Sequence, residues 1–261
     1  MPKVTVGGAQ LHYDVVGNGR PLVLTTGQGT GPEARAELID GLAAHYSVLT
    51  YDQRGTGRSD RVAQGQSIAE LAEDIVGLMA AAGFSKAHVL GLSTGTGKAT
   101  ALAAHHPDRV ASLVIAAPWT HGDAHLHVIQ NMRKAAARTM PPDHYAQLNA
   151  LLIYPPEFRR DHADRFTKLA EQARYAPQDP EGIAARLDSI LAFDARPLYP
   201  RIVCPTLVMG ARDDQVMPIW FAHAAAEAIP GARLVTFDGG GHMFPETRTA
   251  EFLGAVLTFL G

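Results

Sequence analysis

Short apolar runs alternate with longer amphipathic stretches through the first part of the chain. The runs Leu22–Thr25 and Ser47–Tyr51 are almost continuously apolar, which is typical of strands buried on both faces of a parallel sheet. Between such runs, apolar residues recur at spacings of three and four, and they predict helices over residues 33–44 and after Ser67. This alternation predicts an α/β fold, with a mostly parallel sheet and helices on both of its faces.

Turn and capping residues mark several ends of these predicted elements. Gly7-Gly8 separates the strand-like runs Val4–Val6 and Leu11–Val15, and this pattern predicts a hairpin. Ser67 is followed three residues later by Glu70, which is the sequence pattern of a capping box. We therefore expect a hairpin at the start of the sheet and a helix that begins directly after Ser67.

Pro118 interrupts the alternation of strands and helices. Residues 119–200 contain no convincing strand, but they contain four stretches with helical spacing. These stretches lie near residues 125–139, 143–152, 157–175 and 181–193. Strand patterns return at Thr206–Met209 and Ala232–Phe237, and a last helix is predicted over residues 246–260. We interpret residues 119–200 as a helical cap on a single domain whose core is formed by residues 1–118 and 201–261.

Composition narrows the function classes only moderately. The chain has 261 residues, of which 46% are hydrophobic and 19% charged, as expected for a globular domain. Its net charge of −3 gives no support to nucleic-acid or membrane binding. The first residues lack the pattern of a signal peptide, and no apolar run reaches the roughly 18 residues that span a bilayer, so we expect a cytoplasmic protein. Cys204 is the only cysteine, and its apolar neighbours predict a buried, inert thiol.

The segment Gly91-Leu92-Ser93-Thr94-Gly95 carries the strongest chemical signal. It follows the apolar run Ala87–Leu90 and opens an Ala-rich stretch, so a strand, a tight turn and a helix are expected in that order. Such a turn holds its central serine in a strained backbone conformation and exposes the hydroxyl. The two glycines fit this geometry because side chains there would collide with the neighbouring strand and helix. Ser93 is therefore the candidate nucleophile.

A serine hydroxyl needs a base, and the base needs a group that orients it. His242 follows the last predicted strand directly after a run of three glycines, and we predict that it is the base. The acid is either Asp213 or Asp214, since both follow the strand Thr206–Met209. We favour Asp214, while the other carboxylate would stabilise the loop. Serine, acid and histidine in this chain order match one known arrangement of such triads.

Backbone N–H groups must stabilise the negative charge that develops on an attacked carbonyl oxygen. The amide of Thr94, directly after the candidate nucleophile, supplies one predicted donor. The glycine-rich loop 26–31 would supply the second, and Gln28 is our candidate within it. A plain glycine-rich turn is the alternative interpretation of that loop.

Along its whole length the chain resembles enzymes of the α/β-hydrolase fold. The segment Asp52–Ser59 matches the D-x-R-G-x-G-x-S signature of that family, and the segments around Pro205–Met209 and His242 match those near its acid and base. The resemblance implies an α/β-hydrolase fold with a mostly parallel eight-stranded sheet and a helical cap. It implies a triad of serine, acid and histidine, and a structural role for Asp52 and Arg54. Counted from Pro205, the family's acid falls on Asp214; counted from Gly210, it falls on Asp213.

Two segments look closer to one group within the family. Tyr51–Gly57 and Leu152–Phe158 resemble the aminoacrylate hydrolases of pyrimidine breakdown, and the 3-oxoadipate enol-lactonases are similar in size and cap. An enol-lactonase likeness implies a small acidic substrate, with a carboxylate partner in the cap. Three arginines are candidates for that partner, although each also fits a solvated helix face: Arg133, Arg159 and Arg160. Trp119 either lines the substrate pocket or packs at the cap hinge.

The chain also departs from its relatives near the predicted site. Many of them have His-Gly where this chain has Thr26-Gly27, and they often have a second small residue where it has Thr96. Lys98 is unusual on a helix that is normally buried. These departures affect the prediction of the substrate more than that of the fold.

The sequence thus predicts a serine hydrolase, most readily a carboxylic-ester or lactone hydrolase. It would cleave a small ester, a lactone or an activated C–N substrate through an acyl-enzyme, with no cofactor. We predict no metal site either, since His121, His125 and His127 lack a matching acidic ligand pattern. A small molecule is the only predicted partner, and the sequence does not decide between a monomer and a homodimer.

Other functions remain open at this point. The same site would suit an aminoacrylate-type hydrolase or a carbon–carbon bond hydrolase, and some proteins of this fold bind ligands without catalysis. The segment 91–100 also resembles a phosphate-binding loop. That pattern, however, requires glycine where Leu92 stands and serine or threonine where Ala99 follows Lys98.

Overall fold

A computed structural model of the protein describes residues 2–27, 35–61, 66–176 and 179–261. Within these ranges eight strands form one sheet, which eleven α-helices accompany. The strands are β1 (Lys3–Val6), β2 (Ala9–Val16), β3 (Arg20–Thr25), β4 (Tyr46–Tyr51), β5 (Ala87–Leu92), β6 (Val110–Ala116), β7 (Thr206–Ala211) and β8 (Arg233–Phe237). The helices are α1 (Ala36–Ala43), α2 (Ile68–Ala81), α3 (Thr94–His105), α4 (Ala124–Thr139), α5 (Pro142–Ile153), α6 (Pro156–Asp161), α7 (Ala163–Tyr175), α8 (Pro180–Ala192), α9 (Ile219–Ala228), α10 (Phe244–Thr247) and α11 (Thr249–Leu260).

The order of strands in the sheet creates a crevice at its centre. The order is β1-β2-β4-β3-β5-β6-β7-β8, with antiparallel pairing at β1–β2 and β2–β4 and parallel pairing from β4 through β8. From β3 the chain passes to β4 on one side, and it later resumes at β5 on the other side. Open α/β sheets bind ligands outside the carboxyl ends of strands at such a reversal. The predicted mostly parallel eight-stranded sheet is confirmed.

The central strands are buried on both faces, which explains their continuous apolar sequence. Side chains alternate along β3: Leu22 and Leu24 join the core that includes Phe252 of α11, whereas Val23 joins the core that includes Leu102 of α3. Full burial of one such aliphatic side chain contributes roughly 1.5–3 kcal/mol. Both faces of the sheet are therefore covered, as the apolar pattern predicts.

The capping box at the start of α2 is also confirmed. Ser67 Oγ accepts a hydrogen bond from the Glu70 amide at 3.2 Å, and a Glu70 carboxylate oxygen accepts one from the Ser67 amide at 2.8 Å. Two N–H groups at the helix terminus that lack intrahelical acceptors are thereby satisfied.

Two predicted helices prove to be pairs of shorter ones. The predicted helix over residues 157–175 is divided at His162 into α6 and α7, and the predicted C-terminal helix is divided at Arg248 into α10 and α11. His162 leaves helical geometry with φ of −121°, and its ring nitrogen Nδ1 lies 2.9 Å from the Phe158 carbonyl oxygen at the end of α6. Side-chain contacts of this kind are not visible in the apolar spacing of a sequence.

Helices α4 to α8 lie between β6 and β7 along the chain, in the segment that we interpret as the cap.

The segment Asp52–Ser59 is held by its own polar side chains. The Asp52 carboxylate accepts a hydrogen bond from the Arg58 amide at 3.0 Å and another from Arg58 Nε at 2.8 Å. Arg54 reaches across to α2 and donates to the buried Asp74 carboxylate, with 2.6 Å from Nε to Oδ2. These contacts connect the loop after β4 to α2.

The environment of the single cysteine agrees with the sequence-based prediction. Cys204 is buried, and its burial raises the pKa of the thiol. Among the residues that the structure describes, none of the helices has the length and apolar character needed to pass through a membrane.

Candidate active site

Ser93 occupies the sharp turn between β5 and α3. Its φ of +53° lies in a region that non-glycine residues rarely adopt. The flanking glycines are required by close contacts: a Cβ atom on Gly95 would lie 2.1 Å from the Thr25 carbonyl oxygen, and one on Gly91 would lie 2.7 Å from the Gly95 carbonyl oxygen. The turn therefore presents the serine hydroxyl at the carboxyl edge of the sheet, beside the end of β3.

His242 reaches the same edge through the glycine-rich loop after β8. Gly241, directly before it, has φ of +65°, and a Cβ atom there would lie 2.8 Å from the carbonyl oxygen of Ile153. The amide of Met243, two residues after Gly241, donates to the same carbonyl oxygen at 3.1 Å. The loop thus passes directly under the end of helix α5 and turns the imidazole toward the crevice.

The three predicted side chains converge although they come from distant parts of the chain. His242 Nε2 lies 2.7 Å from Ser93 Oγ, and His242 Nδ1 lies 2.8 Å from Asp214 Oδ2. With its Nδ1 proton donated to the carboxylate, the imidazole offers Nε2 as an acceptor for the serine proton. His242 and Asp214 are both buried, which limits competition from water for these contacts.

The structure gives the two adjacent aspartates different contacts. Asp214 Oδ1 accepts hydrogen bonds from the amides of Val216 and Met217, each at 2.8 Å, and leaves Oδ2 for the histidine. Asp213 instead accepts from the Gly240 and Gly241 amides at 3.1 and 2.9 Å. One carboxylate thus meets the imidazole and the other holds the loop that carries it.

One of the two predicted oxyanion donors lies within the described residues. Thr94 is the first residue of α3, so its N–H has no acceptor within the helix. From the other side, a Cβ atom on Gly27 would lie 3.3 Å from Ser93 Oγ, so Gly27, two residues after β3, lies directly beside the serine. Gln28 lies outside the described residues and stays a prediction.

A cavity of about 600 Å³ opens beside the serine and the histidine. Ser93 and His242 line it together with six charged residues, three arginines and three glutamates: Arg35, Arg165, Arg248, Glu37, Glu246 and Glu251. Arg165 of α7 forms an ion pair with Glu246 of α10 and also donates to the Tyr154 hydroxyl at 3.1 Å. The Tyr154 hydroxyl in turn donates to Glu246 at 2.9 Å. The lining therefore carries three cationic and three anionic residues, and Arg165 and Glu246 are paired with each other.

The three cap arginines proposed from the sequence lie elsewhere. Arg133 donates hydrogen bonds to the side-chain oxygens of Asn149 and Gln130, and Arg159 donates one to the carbonyl oxygen of Tyr154 at 2.6 Å. Arg160 pairs with its exposed neighbour Asp161. None of the three is among the described residues that line the cavity.

Trp119 takes the position of a packed aromatic residue. It is 1% exposed, its indole N–H donates to the Ile190 carbonyl oxygen at 3.1 Å, and its ring packs against Phe193. It is not among the described residues that line the cavity. Of the two interpretations of Trp119, the structure thus corresponds to packing at the cap hinge.

The charged residues of the cavity wall were not found from the sequence. Arg35 directly precedes α1, Arg165 lies in a cap helix, and Glu246 follows the histidine loop. No local pattern distinguishes them from solvated residues, because only the tertiary fold brings them to one cavity. A metal site was not predicted, and the residues that the structure describes contain no group of histidine, cysteine and acidic side chains arranged to bind one.

The protein belongs to the α/β-hydrolase fold family, whose sequence model matches residues 20–249. It is 35% identical to the "putative carbamate hydrolase RutD" of Azorhizobium caulinodans over 100% of this chain and 98% of that protein. It is 32% identical to the protein of the same name from Caulobacter vibrioides, over 100% and 99% of the two chains. Among solved structures, the enol-lactonase from Burkholderia xenovorans LB400 superposes with a TM-score of 0.89 at 28% identity and covers 99% of each chain. The sequence-based resemblance to this group is thereby confirmed.

Proposed function

We propose that this hydrolase acts through a covalent acyl-enzyme formed on Ser93. His242 accepts the serine proton as the hydroxyl attacks and then delivers it to the leaving group. Asp214 orients the imidazole and stabilises its cationic form. The Thr94 amide and a donor from the loop after β3 stabilise the oxyanion, and water then releases the acyl group. The observation that carries this proposal is the distance of 2.7 Å between His242 Nε2 and Ser93 Oγ at the wall of a cavity.

The test uses small activated esters and a covalent probe. Wild-type protein should hydrolyse p-nitrophenyl butyrate, and a fluorophosphonate should label Ser93, as located by mass spectrometry. Ser93→Ala should abolish labelling, and both Ser93→Ala and His242→Ala should lose most of the turnover. Ser189→Ala is a matched control, because that hydroxyl bonds only to carbonyl groups of its own helix in the described structure. Equal turnover in all four proteins would contradict the assignment.

We further propose that the substrate is a small lactone, ester or activated C–N compound with a carboxylate group. Two guanidinium groups at the cavity support this class, Arg35 beside α1 and Arg165 of α7, while the lining as a whole carries as many glutamates as arginines. Guanidinium groups suit carboxylates because they offer paired donors in a plane. The names of the similar proteins, an enol-lactonase and carbamate hydrolases, support a bond of the C–O or C–N type.

Matched substrates separate the acid preference from the chemistry. A five-membered lactone that carries a carboxymethyl group should be cleaved with higher kcat/KM than the same lactone with a methyl ester there. Arg165→Met should remove most of this preference and leave turnover of the neutral lactone within about twofold, since one charged contact contributes roughly tenfold or more. An unchanged preference would contradict the proposed carboxylate position. p-Nitroacetanilide, which releases p-nitroaniline when its C–N bond is hydrolysed, tests the C–N alternative with the same proteins.

A further inference from the structure

Lys98 is a buried amine that the triad does not use. It lies five residues after Ser93 on α3 and is 1% exposed. Lysine is almost never fully buried unless it is paired, because its charge is costly to remove from water. Since it is not presented to solvent, it also lacks the accessibility that a phosphate-binding lysine needs. Its burial beneath the turn that carries the serine requires another explanation.

The partners of Lys98 lie at the carboxyl ends of two strands. Its Nζ donates to the Thr26 carbonyl oxygen at 3.1 Å and to Gln53 Oε1 at 2.9 Å. It also lies 5.5 Å from the centre of the Tyr51 ring, which is within cation–π range. The Tyr51 hydroxyl is itself 2.8 Å from Thr25 Oγ1. Lys98 therefore connects α3 to the loops that follow β3 and β4.

The carbonyl that Lys98 holds belongs to the peptide group before Gly27. A Cβ atom on Gly27 would lie 3.1 Å from Ser93 Cβ, so this peptide group stands next to the nucleophile. Fixing its carbonyl oxygen from below also fixes the plane of the peptide and the direction in which the following chain leaves β3. That following chain is the loop from which we predict the second oxyanion donor.

We infer that Lys98 is a positioning residue that holds the Thr26–Gly27 peptide against Ser93, so that the loop after β3 meets the oxyanion in a fixed geometry. The inference rests on the proposed function, because it concerns the same acyl-transfer site. A methionine of similar length would fill the same space without burying a charge. A fixed geometry of the oxyanion donors raises the reaction rate by a large factor. Misplacing such a donor by about 1 Å lowers the rate on the order of 10²-fold.

Both protonation states of Lys98 can maintain this contact. Burial is the largest influence and lowers the pKa of Lys98 to about 7, while the charge of Asp74 raises it and that of Arg35 lowers it. The ammonium form has three N–H donors and the neutral amine has two, and two suffice for Thr26 and Gln53. The position of the loop is therefore expected to persist across neutral pH.

The decisive test compares transition-state binding with ground-state binding in Lys98→Met. We expect kcat for p-nitrophenyl butyrate to fall by about 10- to 100-fold with KM within about twofold. A trifluoromethyl ketone, which forms an oxyanion when Ser93 adds to it, should bind more weakly by a similar factor, whereas butyrate should bind as before. A merely structural lysine would leave the ratio of these two affinities unchanged, and that result would overturn the inference.

Two further variants keep the test informative. Leu102→Ala removes a fully buried side chain that lies four residues further along the same helix and belongs to the same core cluster as Val23, so it should lower the melting temperature but not kcat. Gln53→Met removes one of the two acceptors of Lys98 and should reproduce part of the kcat loss, even if Lys98→Met fails to fold. An unchanged kcat in Gln53→Met together with a non-folding Lys98→Met would also count against the inference. Fluorophosphonate labelling of Ser93 in wild type tests the proposed function separately.

Discussion

Asp213 and Asp214 are neighbours in the chain, but their carboxylates hold two different parts of one site. Asp214 meets His242 at 2.8 Å, and Asp213 accepts the two glycine amides that precede that histidine. One residue thus orients the ring while the other fixes the backbone that carries it. The difference follows from the turn after β7, on which successive side chains point in different directions.

The two aspartates should respond differently to substitution. In Asp214→Asn, the amide nitrogen can donate to His242 Nδ1 and so favour the tautomer that cannot accept the Ser93 proton; we expect kcat to fall by about 10⁴-fold. In Asp213→Ala, the loop loses two hydrogen bonds, so we expect a lower melting temperature and a much smaller loss of kcat. Turnover of p-nitrophenyl butyrate gives kcat of both variants, and thermal melting gives their melting temperatures. Similar kcat losses would show that the carboxylates do not divide these tasks.

Local sequence signals were sufficient to predict most of the fold. The apolar runs of the central strands are long because both faces are buried, so β3, β4, β5 and β6 were recognisable without tertiary information. The divisions at His162 and Arg248 were missed because they depend on contacts specific to those positions. Helical spacing continues across both residues and gives no sign of an interruption.

The site was predictable only where it depends on backbone geometry or chain order. Ser93 and His242 stand beside glycines that their turns require, and such glycines are visible in a sequence. Arg35 and Arg165 have no equivalent signal, since one precedes α1 and the other lies in a cap helix, and only the tertiary fold brings them to one cavity. The arginines chosen from the cap sequence alone point to other partners for the same reason.

Gly95 should be among the residues least tolerant of substitution. A Cβ atom there would lie 2.1 Å from the Thr25 carbonyl oxygen, and neither β3 nor α3 can retreat without disturbing the core. Gly95→Ala is expected to lower the free energy of unfolding by about 1–3 kcal/mol or more. Gly254→Ala is the matched control: Gly254 lies within α11 with open space around its Cα, so alanine should stabilise by roughly 0.5–1 kcal/mol. Urea unfolding measures both, and equal effects would contradict the close contact.

The ion pair between Arg54 and Asp74 should contribute more to the free energy of unfolding than exposed pairs do, because Asp74 is 2% exposed. Arg54→Met leaves that carboxylate buried without its partner, and we expect the free energy of unfolding to fall by about 3–5 kcal/mol at neutral pH. Burial raises the pKa of Asp74 while Arg54 lowers it. In the variant, the folded-state pKa therefore lies further above the unfolded value.

The loss caused by Arg54→Met should consequently shrink as the pH falls, because the buried carboxyl becomes neutral. Urea unfolding of wild type and variant at pH 5 and pH 7.5 measures this difference. Arg160→Met provides the control, since its pair with Asp161 is exposed and should not affect stability measurably. A loss for Arg54→Met that is the same at both pH values would argue against a buried charge as its cause.

Lys98 should leave a pH signature in stability that is separate from its effect on catalysis. Its pKa falls from 10.5 to about 7 on burial, so between these values the unfolded chain binds a proton that the folded protein does not. Wild type should therefore become more stable relative to Lys98→Met as the pH rises, by about 2 kcal/mol between pH 7 and pH 9. Below pH 7 the full cost of burying the ammonium is present, and the difference between the two proteins should level off. Urea unfolding at pH 6, 7, 8 and 9 measures it, and groups that titrate equally in both proteins cancel. A constant difference would show that Lys98 keeps its proton throughout this range, with Asp74 and the Tyr51 ring compensating the burial of its charge.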